Sequence, residues 1–315
     1  MPLRRAELQA HAAGAQTALT AACAPVGTLM GTPMGTPMSW PVAELQSALG
    51  SLLPGLQVQV LAEVDSTNTR LLEQARSDTT PRLLAATVQT AGRGRMGRAW
   101  LAQPGASLCF SLGLPLAPRR WEGLSLAVGL ALADALEPIN SITQPAIGLK
   151  WPNDLWLWEG AGRGRKLGGV LIETTGSMQQ RYCVVGVGLN IAAAETTGDA
   201  LLSVPRACLQ ELQPGLTAPA ALARVAAPLL QALLRFEAEG FAALVPSYAR
   251  RDLLSGQAVH TFGQVELQGH AEGVDADGAL CLRDLQSRHL HRIVSGEVSV
   301  RFSDAHFSAS SPESC

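Results

Sequence analysis

The stretch LLAATVQTAGRGRMGRAW, residues 83–100, governs how the rest of the chain is read. Its first part, residues 83–88, is an apolar run of the kind that makes a buried strand. The run empties into Gly92-Arg93-Gly94-Arg95-Met96-Gly97-Arg98, three glycines interleaved with three arginines. Glycine admits positive φ and lets backbone lie against a ligand. Arginine carries a planar cationic fork that grips carboxylate or phosphate oxygens two at a time. A loop of this composition suits closing over an anionic substrate.

Three readings compete for it. Gly92-x-Gly94-x-x-Gly97 satisfies the dinucleotide-binding pattern and follows a strand, as that pattern requires. Gln103-Pro104-Gly105 then interrupts any helix, and residues 99–121 contain no Asp or Glu to hold a ribose. A nicotinamide oxidoreductase is disfavoured on both counts. The remaining alternative is a solvated turn or a nucleic-acid-binding Gly-Arg patch. A second such run, Gly162-Arg163-Gly164-Arg165, shows that the composition alone decides little.

The 315 residues suffice for about two domains. With 47% apolar and 16% charged residues the chain can bury a core, and a net charge of −2 gives no general pull toward nucleic acid or anionic membrane. The longest apolar run, near 124–136, falls short of the roughly 20 residues that cross a bilayer. Six scattered cysteines form no CxxC pair, so neither a zinc site nor a disulfide framework is indicated, and a reducing cytoplasm fits. Of 24 basic residues only Lys150 and Lys166 are lysine. Two lysines in an arginine-rich chain suggest point charges that a planar guanidinium cannot replace. Asn68, Asn153 and Asn190, three of four asparagines, fall in the segments singled out below.

Taken in order, residues 1–41 read as a disordered extension or a start codon assigned too early, with a short repeat, Met30-Gly-Thr-Pro-Met34-Gly-Thr-Pro-Met38. Their glycines and prolines leave no room for a three-helix DNA-binding module. Residues 42–53 can form one amphipathic helix. A strand over 56–64 meets Asp65-Ser66-Thr67-Asn68-Thr69, ahead of a helical pattern at 70–76. The plain reading is a helix cap. Two hydroxyls and an amide beside free helix N–H groups could also grip a urea or amide head group. Strands are expected at 107–114 and 155–158, a buried helix at 121–136. Lys150-Trp151-Pro152-Asn153-Asp154 supplies a cation, an amide and a carboxylate within one turn, with a surface turn as the plain alternative. Residues 166–173 and 181–191 complete a three-stranded antiparallel meander, with strand glycines where a ligand or another backbone comes close. A helical pattern at 218–241 is expected to break or restart at Pro228. From 255 to 302 short alternating strands with an Asp277-Gly278 turn suggest a small β-barrel. Every histidine but His11 lies there or in the tail, so no core histidine is at hand for catalysis or metal.

Ser66-Thr67-Asn68, Gln89 through Arg98, Lys150 to Asp154, Lys166 to Glu173 and Gly186 to Asn190 together closely resemble biotin protein ligases, which activate biotin with ATP and attach it to a carrier-protein lysine. Each motif is weak singly. Their set, in the family's order and continuing less distinctly to Arg301, is specific. Gly168 stands where the family usually has alanine, and many members carry an N-terminal helix-turn-helix that nothing here could form, so the resemblance is to the monofunctional type. It implies an α+β fold, a mixed, largely antiparallel sheet packed with helices and like the class II aminoacyl-tRNA synthetases, then an SH3-like domain. The division expected is 1–41, a catalytic domain at 42–252, a C-terminal domain at 253–303, and a tail at 304–315.

By the same resemblance Ser66, Thr67, Asn68, Gln89, Arg93, Gly94, Arg95 and Lys166 hold biotin, while Arg98, Lys150, Asn153, Asp154 and Asn190 serve the nucleotide. Lys166, Arg95 and Asp154 are the expected catalytic set: the cation at the reacting centre, the residue retaining the adenylate, and a proton acceptor for the incoming lysine. Mg²⁺ is expected with ATP rather than in a dedicated site, with Asp154 as the one candidate contact. The partner implied is a biotin carboxyl carrier protein, such as that of acetyl-CoA carboxylase, without DNA or membrane and with a homodimer allowed. A lipoate–protein ligase and a non-catalytic biotin-sensing repressor are the alternatives.

Overall fold

Two sheets carry the structure, and the site lies where they meet. The computed structural model describes residues 39–138, 144–160, 163–177, 180–194, 205–263, 266–294 and 298–302. The expected N-terminal extension, up to residue 38, and the tail from 303 lie outside these. The first sheet has seven strands: β1 (Gln57–Val64), β2 (Arg82–Gln89), β3 (Ser107–Pro115), β4 (Ile147–Lys150), β5 (Asp154–Gly160), β6 (Arg163–Ser177) and β7 (Gln180–Asn190). Their order is β1-β2-β3-β7-β6-β5-β4, with β1 parallel to β2 and every other pair antiparallel. The expected meander is β5, β6 and β7.

Strand periodicity decides what each face does. Along β7, Cys183, Val185, Val187 and Leu189 are buried on one face. On the other, Tyr182 and Val184 pack with Leu84 of β2 and with Leu71 and Ala75. Leu71 belongs to helix α2 (Thr67–Gln74), which follows α1 (Val42–Leu52). Farther along that second face Gly186 and Gly188 replace large residues. A Cβ on Gly186 would sit 2.2 Å from Oδ1 of Asn68, and one on Gly188 would sit 2.4 Å from Cε2 of Trp100. Only a missing side chain lets α2 and the Gly-Arg loop approach the sheet so closely.

The first turn of α2 starts earlier than the sequence pattern suggests, at Thr67 rather than near residue 70. Ser66 is its N-cap, with Oγ accepting from the Thr69 N–H at 3.4 Å. The cap reading is therefore correct, and it also buries Ser66, Thr67 and Asn68 at 3% exposure each. Helix α3 (Leu124–Leu136) is buried on nearly all sides, as expected. It packs on α4 (Ala218–Glu239), which runs through Pro228 without the expected break. A helix-interior proline costs about 3 kcal/mol, but burying a single leucine recovers roughly 1.5–3 kcal/mol. Val225, Ala226, Leu229, Leu230 and Leu233 all lie buried around it, so packing wins.

A short helix, α5 (Val245–Ala249), leads to the second sheet: β8 (Ala258–Gly263), β9 (Gln268–Val274), β10 (Leu280–Asp284), β11 (Leu290–Ile293) and β12 (Val298–Phe302). These five strands form the antiparallel sheet β11-β10-β9-β8-β12 of a small SH3-like unit. Its Asp275–Ala279 hairpin is tied by Asp275, whose Oδ1 accepts from the N–H groups of Asp277 and Ala279. Among the described residues no helix is long and apolar enough to cross a membrane.

Candidate active site

One cleft, with about 1240 Å³ of empty space including its open mouth, gathers the motifs of the sequence. Its floor is polar and buried. Gln89 Oε1 accepts from the Thr67 N–H at 2.7 Å and lies 3.0 Å from Thr67 Oγ1. Asn68 Nδ2 donates to Leu171 O at 3.3 Å and to Glu173 Oε2 at 2.9 Å. Ser111, fully buried in β3, places Oγ 2.7 Å from Thr67 Oγ1 and 2.6 Å from Asn68 Oδ1. Sequence reasoning missed Ser111. The signal available was a lone hydroxyl inside the apolar run of β3.

The Gly-Arg loop forms a wall. Arg93 and Ala99 make an isolated bridge, and the Gly94 N–H donates to Arg98 O at 2.7 Å. A 3₁₀ turn at Arg95–Gly97 follows where a dinucleotide-binding loop would start an α-helix. Arg93 Nη2 donates to Glu173 Oε2 at 2.9 Å. Arg95 Nη1 reaches Asn153 Oδ1 at 3.3 Å, and burial lowers its pKa from the ordinary guanidinium value. Arg98 is exposed and lines the cleft, and its guanidinium has no hydrogen-bond or ion-pair partner among the described residues. The second Gly-Arg run behaves otherwise: Arg165 is engaged by Glu159 and Glu211, an ordinary surface network.

The opposite wall comes from β5 and β6. Asn153 Nδ2 donates to Val170 O at 2.8 Å, which holds the turn against β6. Asp154 pairs with Gly169 and Leu155 with Gly168, but Trp156 pairs with Lys166, because the ladder shifts between Leu155 and Trp156. The extra residue on β6 re-aims the strand, the usual effect of a bulge. Lys166 consequently shares the face of Asp154, and its Nζ donates to Asp154 Oδ1 at 2.6 Å. In an unbroken ladder the two would lie on opposite faces.

Lys150 sits at the far end. Its Nζ donates to Val300 O at 2.5 Å and lies 5.1 Å from the centre of the Trp156 ring and 5.9 Å from that of Phe302. Burial pushes its pKa down to about 8, against the opposing pull of Asp154. The C-terminal sheet therefore completes the cleft, with Arg301 in its lining. Trp151 Nε1 fastens the same turn to Gly278 O at 3.1 Å. The resemblance reached Arg301 without giving it a role, because only the docking of β12 brings it into the cleft.

All the expected site residues line this cleft except Asn190. Its amide donates to Lys166 O at 3.1 Å and Ala207 O at 3.0 Å, bracing the strand that carries Lys166. Among the described residues, six cationic side chains (Arg93, Arg95, Arg98, Lys150, Lys166 and Arg301) line the cleft with one carboxylate, Asp154. Such a surface is built for an anion heavier in charge than a single carboxylate.

Comparison with known proteins gives the same picture. Residues 60–190 match the Biotin/lipoate A/B protein ligase family and residues 254–301 the Biotin protein ligase C terminal domain. The chain is 36% identical over 236 residues to the biotin--[acetyl-CoA-carboxylase] ligase of Mycobacterium tuberculosis, covering 72% of this chain and 83% of that one. It is 33% identical over 253 residues to the bifunctional ligase/repressor BirA of Escherichia coli, covering 79% and 75%. Among solved structures it is similar to the biotin protein ligase from Aquifex aeolicus in complex with biotin and ATP, with a TM-score of 0.64 and 30% identity over 78% of this chain and 99% of that one. Fold, cleft and sequence agree, and the chain belongs to the biotin protein ligase family.

Proposed function

We propose that this chain activates biotin with ATP as biotinyl-5′-AMP and transfers the biotinyl group to a lysine of a biotin carboxyl carrier protein. The observation that carries the reading is the union of a buried hydroxyl–amide floor with six cations around one cleft. Biotin's carboxylate, with an ordinary pKa of about 4, is ionised at neutral pH and needs no general base. Its oxygen attacks the α-phosphorus, and pyrophosphate leaves. The barrier is repulsion between anions, which fixed cations and positioning reduce.

Ser66, Thr67, Asn68 and Gln89 take the ureido ring, with Arg93, Gly94 and Arg95 closing over it. Lys166 stands between the carboxylate and the α-phosphate. Arg98, Lys150, Asn153 and Asp154 serve the nucleotide, and Asn190 acts on it through the Lys166 strand. In the second step the acceptor amine attacks the acyl carbon, AMP leaves, and Asp154 takes the amine's proton. Among the described residues no three His, Cys, Asp or Glu side chains gather as metal ligands. A single carboxylate fits Mg²⁺ that arrives on ATP, where it neutralises phosphate charge.

The division into a catalytic domain at 42–252 and a C-terminal domain at 253–303 is part of this reading, as are a cytoplasmic setting and a protein carrier as partner. Incubation with biotin, ATP, Mg²⁺ and a carboxyl carrier domain should raise the carrier's mass by one biotinyl group. Lipoate in place of biotin should give none. An unmodified carrier with biotin, or labelling by lipoate instead, overturns the proposal.

A further inference from the structure

Glu173 does not line the cleft, yet one of its oxygens receives two hydrogen bonds that matter there. Oε2 accepts from Asn68 Nδ2 and from Arg93 Nη2, each at 2.9 Å. The first reaches the floor beneath the proposed ureido site, and the second reaches the base of the Gly-Arg loop. We propose that Glu173 is a positioning residue for biotin: it sets the donor–acceptor polarity of the floor and anchors the loop to it. The inference rests on the reading of the site given above.

The polarity follows from counting protons. Both acceptors facing Asn68 Nδ2, Leu171 O and the Glu173 carboxylate, can only accept, so the amide is locked with its nitrogen toward them. Asn68 Oδ1 therefore faces Ser111 as an acceptor, 2.6 Å from Oγ. Ser111 has a single hydroxyl proton and spends it on Asn68. At its other contact, 2.7 Å from Thr67 Oγ1, Ser111 can then only accept. The single Thr67 hydroxyl proton has two acceptors in reach, Ser111 Oγ at 2.7 Å and Gln89 Oε1 at 3.0 Å; the shorter contact takes it, since Gln89 Oε1 is already held by the Thr67 backbone N–H at 2.7 Å. The protons of the chain run from Thr67 through Ser111 and Asn68 to Glu173.

Two consequences reach the ligand. The Thr67 hydroxyl keeps a lone pair for the cleft, which suits an N–H of a urea ring. The Gln89 amide, its oxygen engaged, turns its nitrogen away from Thr67, where beside its contact with Cys109 an N–H can meet an acceptor. Without an acceptor at position 173 the Asn68 amide loses its locked orientation and the order of the chain is no longer dictated. Arg93 loses its anchor in the same stroke. The Arg93–Glu173 pair is partly exposed and contributes little by charge alone. Geometry is its role.

The test is biotin-dependent ATP–pyrophosphate exchange with each substrate varied in turn. Glu173→Met removes the acceptor at similar length, and Glu173→Gln keeps an acceptor oxygen without the charge. The Met variant should raise KM for biotin about tenfold or more while KM for ATP stays within about twofold. The Gln variant should stay within about threefold of the parent for biotin. Biotin KM unmoved in the Met variant, or both KM values rising together, overturns the assignment. Should the Met variant not fold, Ser111→Ala cuts the same chain in its middle with a smaller change. It should raise biotin KM by about tenfold, and no change there likewise overturns the role. A parent chain without any biotin-dependent exchange overturns the reaction itself, and this inference with it. An active parent with unmoved variants overturns only the role of Glu173.

Discussion

Lys166 and Asp154 meet at 2.6 Å because one residue too many lies on β6. The shift in the ladder between Leu155 and Trp156 turns the Lys166 side chain onto the face of Asp154 and into the cleft. A carboxylate beside the cation holds the ammonium in place before substrate arrives. An incoming phosphate or carboxylate oxygen can then take over the same charge. Lys166→Ala should therefore reduce biotin-dependent ATP–pyrophosphate exchange by about a hundredfold or more, the scale of losing one fixed electrostatic contact at a reacting centre. Undiminished exchange would remove Lys166 from that centre.

Arg95 connects the loop to the opposite wall of the cleft through Asn153, 3.3 Å away. If Arg95 keeps the reactive adenylate behind the loop, as proposed, Arg95→Gly removes that bar. Adenylate should escape early and acylate lysines on bystander proteins. Mass spectrometry of a mixture of the variant with albumin would show biotinylated albumin, and labelling as selective as the parent's would refute a retention role.

Gly186 faces Asn68 with no space for a methyl group, since its Cβ would lie 2.2 Å from Oδ1. Gly186→Ala must push Asn68 off Ser111 and Glu173. Biotin KM should rise about tenfold or more, with ATP KM little altered, as expected when a buried polar group loses its partners. Steady-state exchange kinetics read both.

Lys150 has its pKa held down to about 8 by burial. The ammonium form therefore fades as pH rises through 8, and with it one of the cations proposed to serve the phosphates. In the parent, KM for ATP should climb between pH 8 and 9.5. A guanidinium keeps its charge across this range, so Lys150→Arg should flatten that rise, whatever its effect at pH 7. A parent profile that is level over the interval would contradict the assignment of Lys150 to the nucleotide.

Asp252 is buried where the two sheets meet, next to Leu149, with Oδ1 accepting from the Leu254 N–H at 2.9 Å. Its Oδ2 has no hydrogen-bond partner among the described residues, and burial raises its pKa to about 6 from 3.8. A carboxyl group with a raised folded pKa favours the folded state while protonated, below about 4. That advantage is lost as pH rises through 6, a difference on the order of 2–3 kcal/mol. Asp252→Asn should raise Tm at pH 7–8 and gain little at pH 4. Thermal unfolding across that range decides it, and an equal shift at both ends would exclude titration of Asp252 as the cause.

Short-range chemistry was written in the sequence. The glycine–arginine alternation of residues 92–98, the Ser66 cap, the meander and both rare lysines could be read from residue types and spacing, because each depends on neighbours a few positions away. Three features could not. Helix α4 continues through Pro228 because α1 and α3 bury its leucines. Ser111 enters the floor through β3's place beside β7. Arg301 enters the cleft because β12 folds back onto Lys150.

The sequence by itself determined which charges and hydroxyls this protein owns and roughly which strand or turn carries each. Only the tertiary structure decided which way they face. A one-residue bulge, invisible to any pattern of period two, chose the side of the sheet on which Lys166 appears. Facing direction depends on pairing between strands, and pairing is a long-range balance of burial and hydrogen bonding that no local window contains.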